Sequence, residues 1–189
     1  SPLVFIGTFT PVNRQGQTAG DREAFRICLA LLDIKSEKVI AKAKVFAQPA
    51  GVDVTPTQFF KDSPAWTQDP ATEGYIKTCQ ATKPGDPINP LYWDRIMAAS
   101  LVNEAIEAYD QGRYQSALEL YKQARRVTGG EQLRVLNGLY LTYSKLGRRG
   151  EATQTFGQLV DLGLANKRLG VKFLFRPGST ELIGDRQLA

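Results

Sequence analysis

The feature that most constrains the fold is an internal repeat in the second half of the chain. Two stretches align without a gap at an offset of 35 residues. The aligned residues are Ala105, Ala108, Gly112, Tyr114, Ala117, Tyr121 and Ala124, against Tyr140, Tyr143, Gly147, Arg149, Ala152, Phe156 and Leu159. Apolar residues recur within each stretch at spacings of three and four, which is typical of amphipathic helices. The small residues and the glycines at the turns therefore predict two helical hairpins.

The repeat resembles the tetratricopeptide repeat, whose unit is a pair of helices with a period of about 34 residues. The stretch GRYQSALELYKQA matches that pattern well, whereas GRRGEATQTFGQL lacks the Tyr after Gly147 and the final Ala. An unrelated pair of helical hairpins is the alternative, because Ala and Gly are common where helices touch. Two repeats bury little apolar surface, so we expect helix 93–110 and the connector before it to cap them.

The resemblance implies that the inner face of the first helix in each pair recognises a peptide. Helical spacing places Ala99, Val102, Ile106 and Tyr109 on one stripe, and Arg134, Asn137, Leu141 and Lys145 on another. A basic and amide stripe beside an apolar one suits an acidic side chain or a C-terminal carboxylate, with an apolar side chain alongside. The predicted partner-binding residues are Val102, Ile106, Tyr109, Arg134, Asn137, Leu141 and Lys145. An ordinary solvated helix face is the alternative interpretation.

The first half of the chain carries strand patterns instead. Residues 3–9 are apolar and β-branched, and in REAFRICLALLDIK the residues Phe25, Ile27, Leu29 and Leu31 alternate with smaller or polar ones. After a short link, VIAKAKVF alternates apolar residues with lysines, which predicts an antiparallel hairpin with one wetter face. The predicted fold class is α+β, with a small antiparallel β-sheet domain followed by an α-helical tetratricopeptide-like repeat domain.

The segment between these halves holds seven of the ten prolines, together with four aromatic residues. We therefore expect an ordered connector with short helices that packs over a neighbouring surface and contains no long regular element. The predicted division is a β-rich, incomplete domain at 1–47, the connector at 48–91 and the helical repeats at 92–170. Residues 171–189 are predicted to be a terminal strand that completes the N-terminal sheet, or the start of a following domain.

Both flanks resemble parts of bacterial envelope proteins. The hairpin is similar to the last hairpin of lipoproteins related to the curli secretion channel and to activators of penicillin-binding proteins. Leu31 to Ser36 fit that pattern, but Glu37 replaces the usual Gly. The stretch VKFLFRPGSTEL resembles the opening strand of an OmpA-like peptidoglycan-binding domain. These resemblances imply a periplasmic, outer-membrane-associated lipoprotein, with its lipid-bearing Cys and its peptidoglycan-contacting residues outside this sequence.

The residue inventory narrows the chemistry. The chain has no histidine and two cysteines, which excludes Ser-His-Asp and Cys-His catalysis and an ordinary structural zinc site. The acids Asp21, Glu23 and Asp33 lack a partner nucleophile, and neither phosphate-binding glycine motif is present. We therefore expect no enzymatic activity, no cofactor and no metal. Cys28 and Cys79 are the disulfide candidate in an oxidising compartment, although Cys28 also fits a small buried apolar residue.

The partners follow from the same reasoning. The net charge of +5 is spread evenly over both halves, which argues against a nucleic-acid-binding face, and no apolar run approaches the length of a membrane helix. We expect a protein or peptide partner, peptidoglycan contact only through a further domain, and membrane contact only through a lipid anchor. The expected function is a non-enzymatic protein-interaction or scaffold module of a cell-envelope protein. A cytosolic tetratricopeptide adaptor that binds a partner peptide is the alternative.

Overall fold

The computed structural model of the chain describes residues 3–21, 23–48, 55–66, 70–167 and 170–171. Within them the fold is α+β, as predicted, with a three-stranded antiparallel sheet followed by seven helices. The chain divides into two compact units. Unit 1 contains residues 1–55 and 70–97, and unit 2 contains residues 56–69 and 98–189.

Strands dominate the first part of the chain and helices the second. The strands are β1 (Leu3–Val12), β2 (Ala24–Asp33), β3 (Lys38–Ala47), β4 (Ala65–Trp66) and β5 (Gly170–Val171). The helices are α1 (Gln58–Asp62), α2 (Pro70–Ala81), α3 (Pro90–Trp93), α4 (Ile96–Asp110), α5 (Tyr114–Arg126), α6 (Leu133–Lys145) and α7 (Arg149–Ala165).

The sheet of unit 1 has the order β1-β2-β3, and the predicted hairpin of β2 and β3 is confirmed. The carboxylate of Asp33 shapes its turn by accepting hydrogen bonds from the Lys35 N–H at 3.0 Å and the Ser36 hydroxyl at 2.7 Å. Glu37 ends the turn with φ +58°, in the left-handed region that favours glycine.

Helix α2 covers one face of this sheet. Its Gln80 side chain donates to the hydroxyls of Thr8 and Thr10, each at 3.1 Å, and its Tyr75 hydroxyl bonds to both backbone groups of Gly7. The covered side chains are apolar and include Ile6, Val12, Ala30, Leu32 and Val39. Burial of these side chains fixes α2 against the sheet.

The opposite face of the sheet is apolar and exposed. Phe5 is 66% exposed, and Leu3, Phe9 and Val45 on the same face are also open to solvent. The sequence predicted one wetter face, and its lysines marked the side expected to be wet. In the structure α2 covers the face that carries the lysines. Lys42 extends from β3 and donates to the Thr82 carbonyl, just after the end of α2, at 2.5 Å. A bulge in the β2–β3 pairing places Val39 on the covered face.

Unit 2 is built on two antiparallel helix pairs. The ends of α4 and α6 and the starts of α5 and α7 are each 35 positions apart, the offset seen in the sequence. Gly112 and Gly147 lie at equivalent turns with φ of +73° and +71°, so both turns need a residue that tolerates the left-handed region. The core between the helices includes Leu118, Tyr121, Ala124, Val135 and Leu139.

The Pro-rich segment differs from its prediction. It contains α2, a helix of 12 residues, so the expectation of no long regular element is wrong. Pro70 and Pro90 are the first residues of α2 and α3, where a missing backbone N–H costs nothing. Residues 56–69 group with the helical pairs, whereas 70–97 group with the sheet, so the division differs from boundaries at 47 and 91.

The tail prediction falls mostly outside the described residues. Only Gly170 and Val171 are described there, and they pair with Trp66 and Ala65 rather than with the three-stranded sheet. Apart from its first residue, Val171, the stretch that resembles an OmpA-like strand lies outside the described residues.

Candidate functional site

A short segment of unit 2, residues 57–63, lies against helices α4, α5 and α6. We call it the internal segment. Its anchor is Phe59, which is 4% exposed and belongs to the core of the helix pairs. The Phe59 ring meets Tyr109 edge-on at 5.6 Å and stacks on Tyr121 at 6.2 Å. Three packed aromatic rings make Phe59 the main apolar contact of the segment.

Polar contacts fasten the internal segment to α4. The backbone N–H of Phe59 donates to the Asp110 carboxylate at 2.6 Å. The Tyr109 hydroxyl donates to Oδ2 of Asp62 at 2.7 Å. Gln58 donates to the other oxygen of Asp62 at 2.7 Å, within the segment itself. The Asp62 carboxylate is therefore held by groups on both sides of the contact.

Helix α6 completes the site with a cation and an amide. Lys145 forms an ion pair with Asp62 at 2.9 Å, and both side chains are partly buried. The amide nitrogen of Asn137 donates to the Ser63 hydroxyl at 2.8 Å, and both residues are buried. We call the surface formed by Tyr109, Asp110, Tyr121, Asn137 and Lys145 the α4–α6 site. It binds an aromatic ring, a carboxylate and a hydroxyl.

The electrostatics of the site favour a charged Asp62. Burial by itself would raise the pKa of this carboxyl, but the hydrogen bonds from Tyr109 and Lys145 outweigh it and lower the pKa below its ordinary value. Burial raises the pKa of Tyr109, and the adjacent Asp62 raises it further. The proton therefore stays on the tyrosine, which donates to a carboxylate in a charge-assisted hydrogen bond.

The predicted partner-binding residues fall into two groups. Tyr109, Asn137 and Lys145 contact the internal segment, so the stripe predicted to receive an acidic side chain lies against one from the same chain. The remaining four line the core or its margin: Val102 and Leu141 are buried, Ile106 packs on the same core, and Arg134 is half-buried. That these residues bind an external partner stays a prediction.

Sequence reasoning missed Asp110 and Asp62. Asp110 ends α4 beyond the stripe that helical spacing selects, and Asp62 lies in the Pro-rich segment, which has no periodicity. The residue that could have revealed the internal segment is Phe59, since an aromatic residue in a polar connector predicts packing on a neighbouring surface.

Two buried polar atoms of the site lack a hydrogen-bond partner within the described part of the chain. They are the Tyr121 hydroxyl and the side-chain oxygen of Asn137. Such groups cost about 1 to 3 kcal/mol each relative to a satisfied state. The internal segment therefore uses only one of the two polar atoms of the Asn137 amide.

The two cysteines lie together in unit 1, between β2 and α2. The Cys28 thiol donates to the Cys79 carbonyl at 2.5 Å, and the Cys79 thiol donates to the Cys28 carbonyl at 3.1 Å. Both are buried and unbonded. Burial, with a contribution from Cys28, raises the pKa of the Cys79 thiol to about 11. The disulfide between them stays a prediction.

The acids considered in the sequence are placed on turns and surfaces. Asp33 forms its turn, and Glu23 pairs with Arg14 at 3.0 Å. In the described ranges no three His, Cys, Asp or Glu side chains come together in a group able to hold a metal ion. None of the helices in those ranges has the length and apolarity to span a membrane.

Comparison of the chain with protein-family models, with curated proteins and with solved structures finds no match. The tetratricopeptide and envelope-lipoprotein resemblances therefore stay predictions from the sequence.

Proposed function

We propose that this chain is a non-enzymatic protein-interaction or scaffold module of a cell-envelope protein that is outer-membrane-associated and linked to peptidoglycan. The observation that carries the binding role is the α4–α6 site, where side chains from both helix pairs hold a short helical segment. An apolar anchor combined with a few placed polar groups is the usual arrangement for recognising a helical peptide in a groove. The same surface is suited to a partner.

The envelope location rests on sequence resemblance, and the geometry of Glu37 supports it. The lipoproteins that the hairpin resembles usually have Gly at this position, and Glu37 has φ +58°, a conformation that favours Gly. Glu37 therefore differs from that pattern in residue type but has a backbone conformation that Gly would also adopt. The neighbouring thiols of Cys28 and Cys79 also suit an oxidising compartment.

The test is capture by the immobilised chain from separate envelope and cytosolic extracts, followed by direct binding of the purified partner. We expect an envelope protein that binds the chain and whose affinity falls at least about tenfold in Lys145→Glu, because the charge that faces an acidic group of the partner is reversed. Lys122→Glu is the matched control, since this α5 lysine pairs with Glu119 on its own helix at 3.2 Å. It should bind like the unaltered chain.

The outcomes separate the parts of the proposal. Recovery of cytosolic partners alone contradicts the envelope location. An envelope partner that binds equally well to Lys145→Glu and to Lys122→Glu contradicts the use of the α4–α6 site. Turnover of a glycan or peptide by the purified chain contradicts the non-enzymatic role.

The second candidate is a cytosolic adaptor that binds a partner peptide through the same helices. It is favoured if Cys28 and Cys79, which are unbonded neighbours in this structure, are also free thiols in the native protein. Reduced thiols are the rule in the cytosol. The oxidation state of the two cysteines in the native protein therefore discriminates between the two candidates.

A further inference from the structure

We infer that the internal segment is a displaceable occupant of the α4–α6 site, and that the site accepts from a partner a helical peptide with an aromatic residue three positions before an acidic one. This inference rests on the proposed binding function and adds to it the chemistry of the ligand and a means of regulation. The contacts of residues 57–63 supply the recognition pattern.

The pattern follows from the face that the internal segment presents. Phe59 and Asp62 are three positions apart and so share one side of α1, which is the side against Tyr109. Phe60 follows Phe59 directly and is 53% exposed, so the neighbouring position does not select a residue in the same way. Ser63 adds a hydroxyl that accepts from Asn137. The recognised pattern is an aromatic residue, an acidic residue three positions later, and then a hydroxyl residue.

The charges of the site explain why the fourth position is acidic. Lys145 supplies a cation and Tyr109 a hydroxyl donor, and both act on the same oxygen of Asp62. Asp110 contributes a carboxylate, but it accepts from the Phe59 backbone N–H, a group present in every peptide. A peptide with a basic residue in place of Asp62 would face Lys145 and be rejected.

The internal segment resembles a peptide ligand that is covalently joined to its binding site, since it does not belong to a long helix or strand. Its helix α1 has five residues, too few to be stable by itself, so its conformation depends on the site. Residues 1–55 and 70–97 belong to unit 1, so the chain enters unit 2 for this segment and then returns to unit 1. A tethered ligand competes at an effective concentration in about the millimolar range, which an external peptide must overcome.

The experiment uses a fluorescently labelled peptide that copies residues 56–66, titrated against the full chain and its variants. We expect weak binding to the unaltered chain, where the internal segment occupies the site. In Asp62→Asn the internal segment loses its ion pair, so the peptide should bind at least about tenfold more tightly. Circular dichroism checks that the variant keeps its helix content.

Two changes in the peptide provide a matched comparison that leaves the protein intact. Phe59→Ala in the peptide should weaken binding to the Asp62→Asn chain at least about tenfold, because it removes the buried ring. Phe60→Ala should leave the affinity within about twofold, since that ring is on the exposed side. Equal losses from both changes would overturn the assigned recognition pattern.

A charge exchange gives a second route that does not depend on Asp62→Asn. In the Lys145→Glu chain the internal Asp62 faces a like charge and should be released. On the Lys145→Glu chain, the peptide with Asp62→Lys should then bind more tightly than the unaltered peptide. On the Asp62→Asn chain, which keeps Lys145, the unaltered peptide should bind more tightly than the Asp62→Lys peptide. An unchanged order on the two folded chains would overturn the inference.

Hydrogen exchange measures displacement directly. The Lys61 and Ser63 amides bond to carbonyls within the internal segment, so they should exchange faster as the peptide is added to Asp62→Asn. Peptide binding without faster exchange there, or no peptide binding up to about 1 mM, contradicts a displaceable segment. If an envelope partner still binds in a manner that depends on Lys145, only this inference fails and the proposed function stands.

Discussion

Gly138 in α6 leaves no room for one added methyl group. A Cβ atom there would lie 2.2 Å from two carbons of the Tyr121 ring, far inside van der Waals contact. Gly138→Ala should therefore destabilise the helical unit by about 1 to 3 kcal/mol in urea unfolding, because overpacking outweighs the better helix propensity of Ala. Gly157→Ala in α7 is the control, since nothing lies within 4 Å of that site. It should gain up to about 1 kcal/mol.

A Gly138→Ala chain as stable as the unaltered one would mean that Tyr121 can move away without cost. That outcome would contradict the packing of Phe59 on the same ring.

Glu37 is a residue whose backbone conformation suits a different side chain. Its φ of +58° costs a non-glycine residue about 1 kcal/mol, and its backbone oxygen accepts from the Ile88 N–H at 2.8 Å. Glu37→Gly should raise the free energy of unfolding of unit 1 by up to about 1 kcal/mol, measured by chemical denaturation. Glu37→Ala removes the same charge without relieving the conformation. An equal gain in both variants would assign the effect to charge instead.

Helices and strands were predictable where local spacing carries the information. The alternation from Phe25 to Leu31 gave β2, and the spacing of small residues gave the helix pairs and their glycine turns. The length of α2 was missed because the prolines were taken to keep helices short in this segment, although Pro70 stands at its first position, where proline is tolerated. Which face of the sheet is covered depends on α2, so periodicity could not decide it.

The internal segment should depend on pH through Asp62. The pKa of this carboxyl is lowered from its ordinary value of 3.8 in the folded state, so folding is favoured when the group is ionised. Its contribution is complete above the unfolded value and is lost as the pH falls through the lowered folded value. At about pH 7 we expect Asp62→Asn to cost about 1 to 2 kcal/mol, discounted for partial exposure. At about pH 2 the difference from the unaltered chain should vanish.

The measurement is urea unfolding of both chains at each pH, with helix content monitored by circular dichroism. Glu104→Gln on the exposed side of α4 is the control and should give the same small difference at both pH values. A cost of Asp62→Asn that persists in acid would assign the effect to shape rather than to charge.

The composition of unit 2 depends on contacts between residues that are distant in sequence, which no local pattern carries. Residues 56–69 join unit 2 although the chain on both sides of them belongs to unit 1. The contact of Ser63 with Asn137 spans 74 positions, and that of Asp62 with Tyr109 spans 47. Helical spacing could select Tyr109, Asn137 and Lys145 as one surface. Helical spacing could not predict that the internal segment lies against this surface, because residues 57–63 have no repeating pattern.

The compartment of the whole chain can be read from Cys28 and Cys79. Their thiols each bond to the other residue's carbonyl, so they are close enough that modest rearrangement would join them. Joining them removes two protons and passes two electrons to an oxidant such as a partner disulfide. Since both thiols are buried and burial raises the pKa of Cys79 to about 11, oxidation should occur before unit 1 closes.

In an envelope protein we therefore expect Cys28 and Cys79 to be bonded when the chain is isolated without reductant. Alkylation of the denatured chain should then label neither cysteine before reduction and both afterwards, as read by mass. The bond closes a loop across 51 positions, so reduction should lower the free energy of unfolding of unit 1 by about 4 kcal/mol. A chain with Cys28→Ala and Cys79→Ala should not respond to reductant. Labelling of both cysteines before reduction would favour the cytosolic adaptor, since an oxidising compartment would not leave this pair as thiols.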